Sequence, residues 1–274
     1  MTDPIHKKRS PLLAGVSGLL SPGLGHIYLG EPVRGLAMAL GAYLAIGVLG
    51  ALGLLAQFWG FVGAWVLLLA LLLFAIVDPM LLARARAGQS YRLKAYNRWY
   101  VYLLAGLLLA AIPGLAGTFR GRVLGYETLL NQTASMQPTL MLGDSLLFDT
   151  RGFPGVTPGR GDVIAYRYPP DPHRVFVRRV VAVGPARVAL HEGRLLIDGV
   201  EVPEAYPHAP AATRYSLEME ERKLTKGEVF VLGDNRDNSD DSRMQGGVPV
   251  DNILGRATVV WWAGDLGRIN TPLR

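Results

Sequence analysis

The sequence predicts a multi-pass α-helical membrane anchor followed by a mostly antiparallel β domain. Three observations carry this prediction. Half of the 274 residues are hydrophobic and only 18% are charged, and nearly all the long apolar runs lie before about residue 117. The basic charge divides at the same place. Residues 1–117 hold nine Lys and Arg against three Asp and Glu, which accounts for the whole net charge of +6, whereas residues 118–274 hold nineteen of each. Beyond about residue 125 the apolar runs become short, often alternate with polar residues and are separated by turn dipeptides.

Within the anchor, four apolar segments stand at roughly 11–29, 35–56, 59–82 and 99–117. A helix needs about 20 apolar residues to cross the hydrocarbon core. The second and third segments meet this requirement, and the fourth meets it with Trp99 and Tyr100 as interfacial anchors. The first is interrupted by Ser21, Pro22, Gly23 and Gly25, and Pro and Gly break a helical ladder. Charge parity decides how it is counted. Lys7, Lys8 and Arg9 assign the N-terminus to the cytoplasm, and Arg84, Arg86, Arg92, Lys94 and Arg98 assign the 83–98 loop there too. Two crossings between these clusters satisfy both, and three would place one of them outside. Segment 11–29 is therefore read as interfacial or re-entrant, and 35–56 with 59–82 as a tight hairpin. The 99–117 helix then delivers residues 118–274 to the periplasmic or extracellular side. A cleavable signal peptide over residues 7–20 would need a small-residue cleavage site, and none is convincing.

Several function classes are disfavoured at this level. The spanning segments carry almost no ionisable residues of the kind that mark ion paths, which argues against a channel or transporter. The excess basic charge sits beside membrane helices and not on the soluble domain, so nucleic acid is not an expected partner. There are no cysteines, which excludes disulfides, thiolate metal ligands and a cysteine nucleophile.

In the second domain, Ser145–Asp149, Asp162–Tyr168, Arg174–Val183, Arg187–His191, Arg194–Asp198, Glu228–Leu232 and Ala257–Trp262 read as strands. Turn signals at Gly143-Asp144, Pro158-Gly159, Glu192-Gly193 and Asp198-Gly199 punctuate them. The Pro- and Ala-rich stretch around 203–212 reads as an excursion between strands.

Three segments carry candidate chemistry. The first is Thr133-Ala134-Ser135-Met136-Gln137-Pro138-Thr139-Leu140. Pro138 forbids a helix interior, which leaves Ser135 in an extended or turning segment where its hydroxyl can be exposed. A serine is a weak nucleophile without a base in reach. The second is the strand containing Arg178 and Arg179. Successive side chains of a strand point to opposite faces, so Arg178 shares a face with Phe176 and Val180, and Arg179 with Val177 and Val181. The third runs from Gly233 to Arg243, Gly-Asp-Asn-Arg-Asp-Asn-Ser-Asp-Asp-Ser-Arg. It fails as a calcium loop, because a loop starting at Asp237 has Ser242 where Gly belongs and Val248 where the bidentate Glu belongs. It reads better as a rigid turn braced by Asp–Arg pairs after the Glu228–Leu232 strand.

In this order the three segments closely resemble the signature boxes of bacterial signal peptidase I, the Ser/Lys-dyad serine peptidases. The Ser-Met-x-Pro-Thr-Leu box is Ser135–Leu140, the strand that normally carries Lys-Arg-Val-Val is Arg178–Val181, and the last box matches Gly233–Arg243 at every specified position. The resemblance spans roughly residues 125–262. It implies a signal-peptidase-like β fold and a membrane-bound endopeptidase that removes signal peptides from exported preproteins. The partners would be those signal peptides and the lipid bilayer, at a bacterial inner membrane and without metal or organic cofactor. It further implies Ser135 as nucleophile, Thr133 in the oxyanion hole, and Met136 lining a shallow pocket for small side chains. Asp241 and Arg243 would form an ion pair holding the lysine strand, with Asp234 and Ser239 beside it.

The sequence departs from the family where the base belongs. The residue at the lysine position is Arg178, and an arginine does not become neutral at ordinary pH. Gly184-Pro185-Ala186 also replaces the family's Pro-Gly-Asp. The two lysines of the domain, Lys223 and Lys226, match no motif. Three readings stay open. Arg178 orients Ser135 or stabilises the oxyanion while water or another group takes the proton, or His173 serves as base, or the protein binds signal peptides without cutting them.

Overall fold

The computed structural model describes residues 6–87, 89, 91–92, 97–118, 120–204, 206 and 212–273. Lys94 and most of the 203–212 excursion lie outside them. The chain divides into two compact units, residues 1–55 with 59–124, and 56–58 with 125–274.

The first unit is helical. A two-residue ribbon pairs β1 (His6–Lys7) with β2 (Tyr91–Arg92). The 11–29 segment forms two short helices, α1 (Pro11–Leu20) and α2 (Leu24–Tyr28), broken at Ser21-Pro22-Gly23 as the composition requires. Ser10 caps α1 by accepting from the Leu13 N–H at 3.4 Å, and Pro11 occupies the first helical position. Then follow α3 (Pro32–Ala51), α4 (Phe58–Ala85), α5 (Trp99–Thr118) and α6 (Arg120–Val123). Among the described residues, α3 and α4 are long and apolar enough to cross a membrane.

One ionisable group inside α4 has a structural use. Asp78 lies 2.6 Å from Nε2 of the fully buried His26 and accepts from Arg34, which ties α2 and α3 to α4. Next to it, Pro79 lacks the N–H that would bond the Ala75 carbonyl. Gly18 of α1 lies against that carbonyl so closely that a Cβ would stand 2.0 Å from its oxygen. The gap in one helix thus receives the side-chain-free face of another.

The second unit is built from antiparallel pairs. Its strands are β3 (Tyr126–Leu130), β4 (Ser145–Asp149), β5 (Val163–Tyr168), β6 (Asp171–Val183), β7 (Ala186–His191), β8 (Arg194–Ile197) and β9 (Val200–Glu201), then β10 (Met219–Leu224), β11 (Glu228–Leu232), β12 (Val248–Pro249), β13 (Ile253–Trp262) and β14 (Thr271–Pro272). The larger sheet runs β12-β11-β6-β5-β13-β4-β3, with β14 on β13, and the smaller runs β10-β7-β8-β9. Single-turn helices α7 (Arg214–Leu217) and α8 (Ser242–Gln245) interrupt the strands. Alternation sorts the apolar residues into separate clusters. Val163 and Ala165 join Met136, Leu146 and Phe148 in one cluster, whereas Ile164 and Tyr166 join Val180, Val229 and Ile253 in another. Val181, Ala182 and Phe230 turn to Val188, Leu190 and Leu195 of the smaller sheet. Each large aliphatic or aromatic side chain so buried contributes about 1.5–3 kcal/mol.

The strand expected over 187–191 begins at Ala186, the one expected over 174–183 begins at Asp171, and the one expected over 257–262 begins at Ile253. Strands β3 and β10 are additions, and β10 presents four exposed residues in a row, Glu220–Lys223, which offer no apolar alternation to read.

Substituting Gly18→Val should overpack the contact with α4, at a cost of about 1–3 kcal/mol. The expected result is a lower melting temperature of the detergent-solubilised protein, and an unchanged melt would show that α1 does not bear on Ala75.

Candidate active site

Strand β6 sends its two adjacent arginines, Arg178 and Arg179, to opposite faces. Arg179 lies opposite Val163 and Arg178 opposite Ile164. Arg179 is fully buried and donates from Nε and Nη2 to the two oxygens of Asp234 at 2.9 and 2.7 Å. Its Nη1 donates to the Gly161 carbonyl at 2.7 Å, and the Tyr206 ring lies 4.3 Å from its central carbon. This two-point charged pair, satisfied on its other side by a carbonyl, is the geometry in which a buried ion pair is tolerated.

Asp234 begins the loop that follows β11, and the rest of that loop is braced in the same way. Arg243 donates from Nε and Nη2 to Asp241 at 2.9 and 2.8 Å, and the Gly233 N–H donates to the same carboxylate at 3.0 Å. The Ser242 hydroxyl accepts from the Val231 N–H at 3.0 Å. Having no side chain, Gly233 can lie against the Ser135 segment. A Cβ there would stand 2.5 Å from the Ser135 carbonyl oxygen and 2.2 Å from Ser239 Oγ. Asn235 completes the junction, its backbone N–H donating to the Ser135 carbonyl at 3.0 Å and its Nδ2 to the Ala134 carbonyl at 3.2 Å.

On this platform Ser135 and Arg178 meet, each only 5% exposed. Arg178 Nη1 donates to Ser135 Oγ at 2.8 Å and to the Val177 carbonyl at 2.7 Å, and Nε donates to the Asp240 carbonyl at 2.9 Å. The Phe176 ring lies 5.0 Å from the guanidinium carbon. Thr133 Oγ1 is 2.9 Å from Ser135 Oγ. The Ser135 N–H has no hydrogen-bond partner among the described residues. Burial holds the Arg178 guanidinium below its ordinary range, with Tyr166, Asp241 and Asp240 acting in the opposite direction. An arginine starts so far above neutrality that it stays a cation, and a cationic guanidinium has donors only. Arg178 can therefore stabilise negative charge on Ser135 Oγ, but it offers no lone pair for the serine proton.

The site opens into a cleft of about 590 Å³ lined on one side by residues 128–135 and on the other by residues 174–178, with Asn238 and Asp240. Both walls are strand edges. Strand β3 ends the larger sheet, and β11 pairs with β6 only over Arg179–Val183, which leaves the 174–178 edge unpaired on that side.

The expected residues are thus distributed unequally. Thr133, Ser135 and Arg178 converge on the cleft, and Asp234, Asp241 and Arg243 brace the loop behind them. Asp234 holds Arg179 and not the residue at the lysine position. Ser239 Oγ is buried beside Gly233 without a hydrogen-bond partner. Met136, expected on the pocket wall, is fully buried among Leu140, Leu146 and Phe148 and does not line the cleft, because the turn after Ser135 directs it into the core. His173 is exposed and outside the cleft lining, as are Lys223 and Lys226. Two further residues were given no role from the sequence. Asn235 stood inside the matched box, and Asp240 fills that box's unspecified position, where no side-chain rule applies. Among the described residues no group of three or more His, Asp and Glu is arranged to hold a metal.

A domain of antiparallel strands with a serine hydroxyl held beside a buried cation at the base of a strand-edged cleft defines the class of serine peptidases with a basic partner. The family model "Signal peptidase, peptidase S26" matches residues 98–262, more than half of the chain. The chain belongs to this family, whose activity is the removal of signal peptides by a peptidase. It is 34% identical to a signal peptidase I of Leptolyngbya laminosa over 50% of this chain and 70% of that one. It is 32% identical to a probable signal peptidase I-2 of Synechocystis over 47% of this chain and 60% of that one. A crystal structure of a signal peptidase I from Enterococcus faecalis matches at 28% identity and a TM-score of 0.33, over 38% of this chain and 98% of that one.

Replacing Asp234 by Ala should strand the Arg179 charge and cost about 3–5 kcal/mol of stability. The double change Arg179→Met with Asp234→Leu is expected to recover most of it, and urea unfolding of the two variants checks the difference. Asn235→Ala should lower the turnover of a preprotein with little change in melting temperature. An equal fall in both would show that Asn235 serves folding alone.

Proposed function

We propose that this chain is a membrane-bound signal peptidase I-type serine endopeptidase in which Ser135 attacks the scissile carbonyl and Arg178 stabilises the serine oxygen without accepting its proton. The observation that carries this reading is the 2.8 Å hydrogen bond from Arg178 Nη1 to Ser135 Oγ inside the cleft. An extended segment of the preprotein adds to the edges of β3 and β6 that wall the cleft, with main-chain hydrogen bonds supplying affinity. As Ser135 Oγ bonds to the carbonyl carbon, the carbonyl oxygen takes up the charge and is met by the Ser135 N–H and the Thr133 hydroxyl. The serine proton passes to solvent in the cleft, because the guanidinium beside it has no lone pair. Collapse of the tetrahedral species expels the amine of the mature protein, which takes a proton from cleft water as the C–N bond breaks. A second water then hydrolyses the ester to release the signal peptide as a carboxylate and return the hydroxyl of Ser135.

The helical unit is the anchor. Helices α3 and α4 form a hairpin and α5 leads out, with the N-terminus and the 83–98 loop in the cytoplasm and the β unit on the far side of a bacterial inner membrane. The lengths of α3 and α4 and the distribution of Lys and Arg support this topology.

Cleavage of a preprotein in detergent micelles tests the proposal. Ser135→Ala should abolish it. Arg178→Lys supplies an amine that burial can hold neutral, and restored general-base help should raise the rate by about 10². Arg178→Met should eliminate activity, because it removes the only cation on Ser135 Oγ among the described residues. A wild type that binds signal peptide but shows no turnover over hours, unaffected by Ser135→Ala, would establish a non-catalytic binding protein instead. The pH profile gives an independent check. Since Arg178 does not titrate, the wild-type rate should climb with hydroxide concentration without levelling off, whereas Arg178→Lys should level off above the pKa of its amine.

A further inference from the structure

The helical unit holds a partly open pocket of about 100 Å³ lined by Arg9, Leu29, Ala83, Arg86, Gln89 and Tyr91. Arg9 lies between two aromatic rings, its central carbon 4.5 Å from the Tyr28 centroid and 4.4 Å from that of Tyr91. The rings stabilise the faces of the cation and leave its edge unsatisfied. Along that edge, Nε and Nη2 are shielded from solvent and have no hydrogen-bond partner among the described residues. Elsewhere in this chain the same edge grips a carboxylate. Arg151 holds Asp149, Arg179 holds Asp234, Arg243 holds Asp241 and Arg268 holds Asp144, in each case through Nε and Nη2. A buried, unpaired two-donor edge held between two rings is thus a preformed receptor for an oxyanion.

A second cation lines the same pocket. Arg86 donates from Nη2 to Glu31 at 2.9 Å, and both members of that pair remain about 40% exposed, so Arg86 keeps donors for another partner. Arg9 and Arg86 against Glu31 leave one net positive charge, which matches a phosphodiester. The surroundings distinguish a lipid from a free ion. Directly after Arg9, α1 exposes Leu12, Leu13 and Val16 at 68%, 54% and 45%, and α4 exposes Leu81 at 54% two residues before Ala83. Apolar surface suited to acyl chains therefore adjoins the receptor for the headgroup.

We propose that this pocket binds the phosphate of an anionic phospholipid, with Arg9 as the two-point donor and Arg86 as the second cation. The proposal rests on the topology above, which puts this end of the anchor at the cytoplasmic headgroup level, where basic pockets between helices take acidic lipids. A zwitterionic headgroup would bring an ammonium beside two arginines and is disfavoured.

The test uses the full-length protein, delipidated in mild detergent and then given phosphatidylglycerol, phosphatidylcholine or inorganic phosphate. Bound lipid is counted by native mass spectrometry and stability is followed by thermal melting. Phosphatidylglycerol should be retained as one molecule per chain and raise the melting temperature, and the other two should do neither. Arg9→Gln should cut retention at least fivefold while leaving Ser135-dependent cleavage in detergent unchanged. If Arg9→Gln lacks wild-type helicity by circular dichroism, Arg9→Lys carries the test. It keeps the charge, loses the two-donor edge and should retain at least threefold less lipid. Equal retention by wild type and the folded variant would overturn the proposal, as would equal stabilisation by phosphatidylcholine or by inorganic phosphate. Recovery of the chain in the soluble fraction of cells, without detergent, would overturn the anchor topology and the proposal with it.

Discussion

The second unit depends on the buried pair between Arg179 and Asp234. Period-two geometry allows only one of two neighbouring arginines into the cleft, and the other has to be neutralised in the interior. Asp234 does this from the first turn of the loop after β11, so strand β6 and that loop cannot move independently. The loop in turn carries Gly233 and Asn235, which fix the backbone of Ser135, and Asp240, whose carbonyl orients Arg178. The position of one hydroxyl relative to one guanidinium thus follows from an ion pair that touches neither.

The same logic accounts for the mixed acidic and basic run from Gly233 to Arg243. Asp234 and Asp241 each take an arginine in two-point fashion, and Asp237 receives the Ser216 hydroxyl and then the Thr213 hydroxyl and backbone N–H, which together hold its carboxyl well below the usual carboxylate range. The charges of the 233–243 loop are spent on cross-bracing. This rigidity suits a site whose partner group cannot adjust its protonation and has to act through placement.

Much of this was legible in the sequence, for identifiable reasons. Strands β4 and β11 coincide with the expected spans because apolar runs there end at sharp turn residues, and the opposite facing of Arg178 and Arg179 follows from the pleat alone. The broken 11–29 segment was readable from Pro22 and its glycines. Strand β10 was not, because Glu220–Lys223 are all exposed and a solvated edge has no pattern. Met136 shows a different limit, since adjacency to Ser135 in sequence does not say which way a turn directs the next side chain. Asn235 acts through its backbone and a carbonyl contact across about a hundred residues, which no local pattern announces. The link from His26 to Asp78 was hidden for the same reason, with one partner in a broken segment and the other inside a long apolar helix.

The two strand edges that wall the cleft have a consequence for selectivity. The backbone groups still open to water along these edges can be taken over by a segment only if that segment has not already used its own. A helix or a folded strand arrives with those groups occupied and finds no complement there. The first discrimination is therefore by conformational state and precedes any reading of side chains. Extended segments therefore qualify, and folded ones are turned away whatever their side chains.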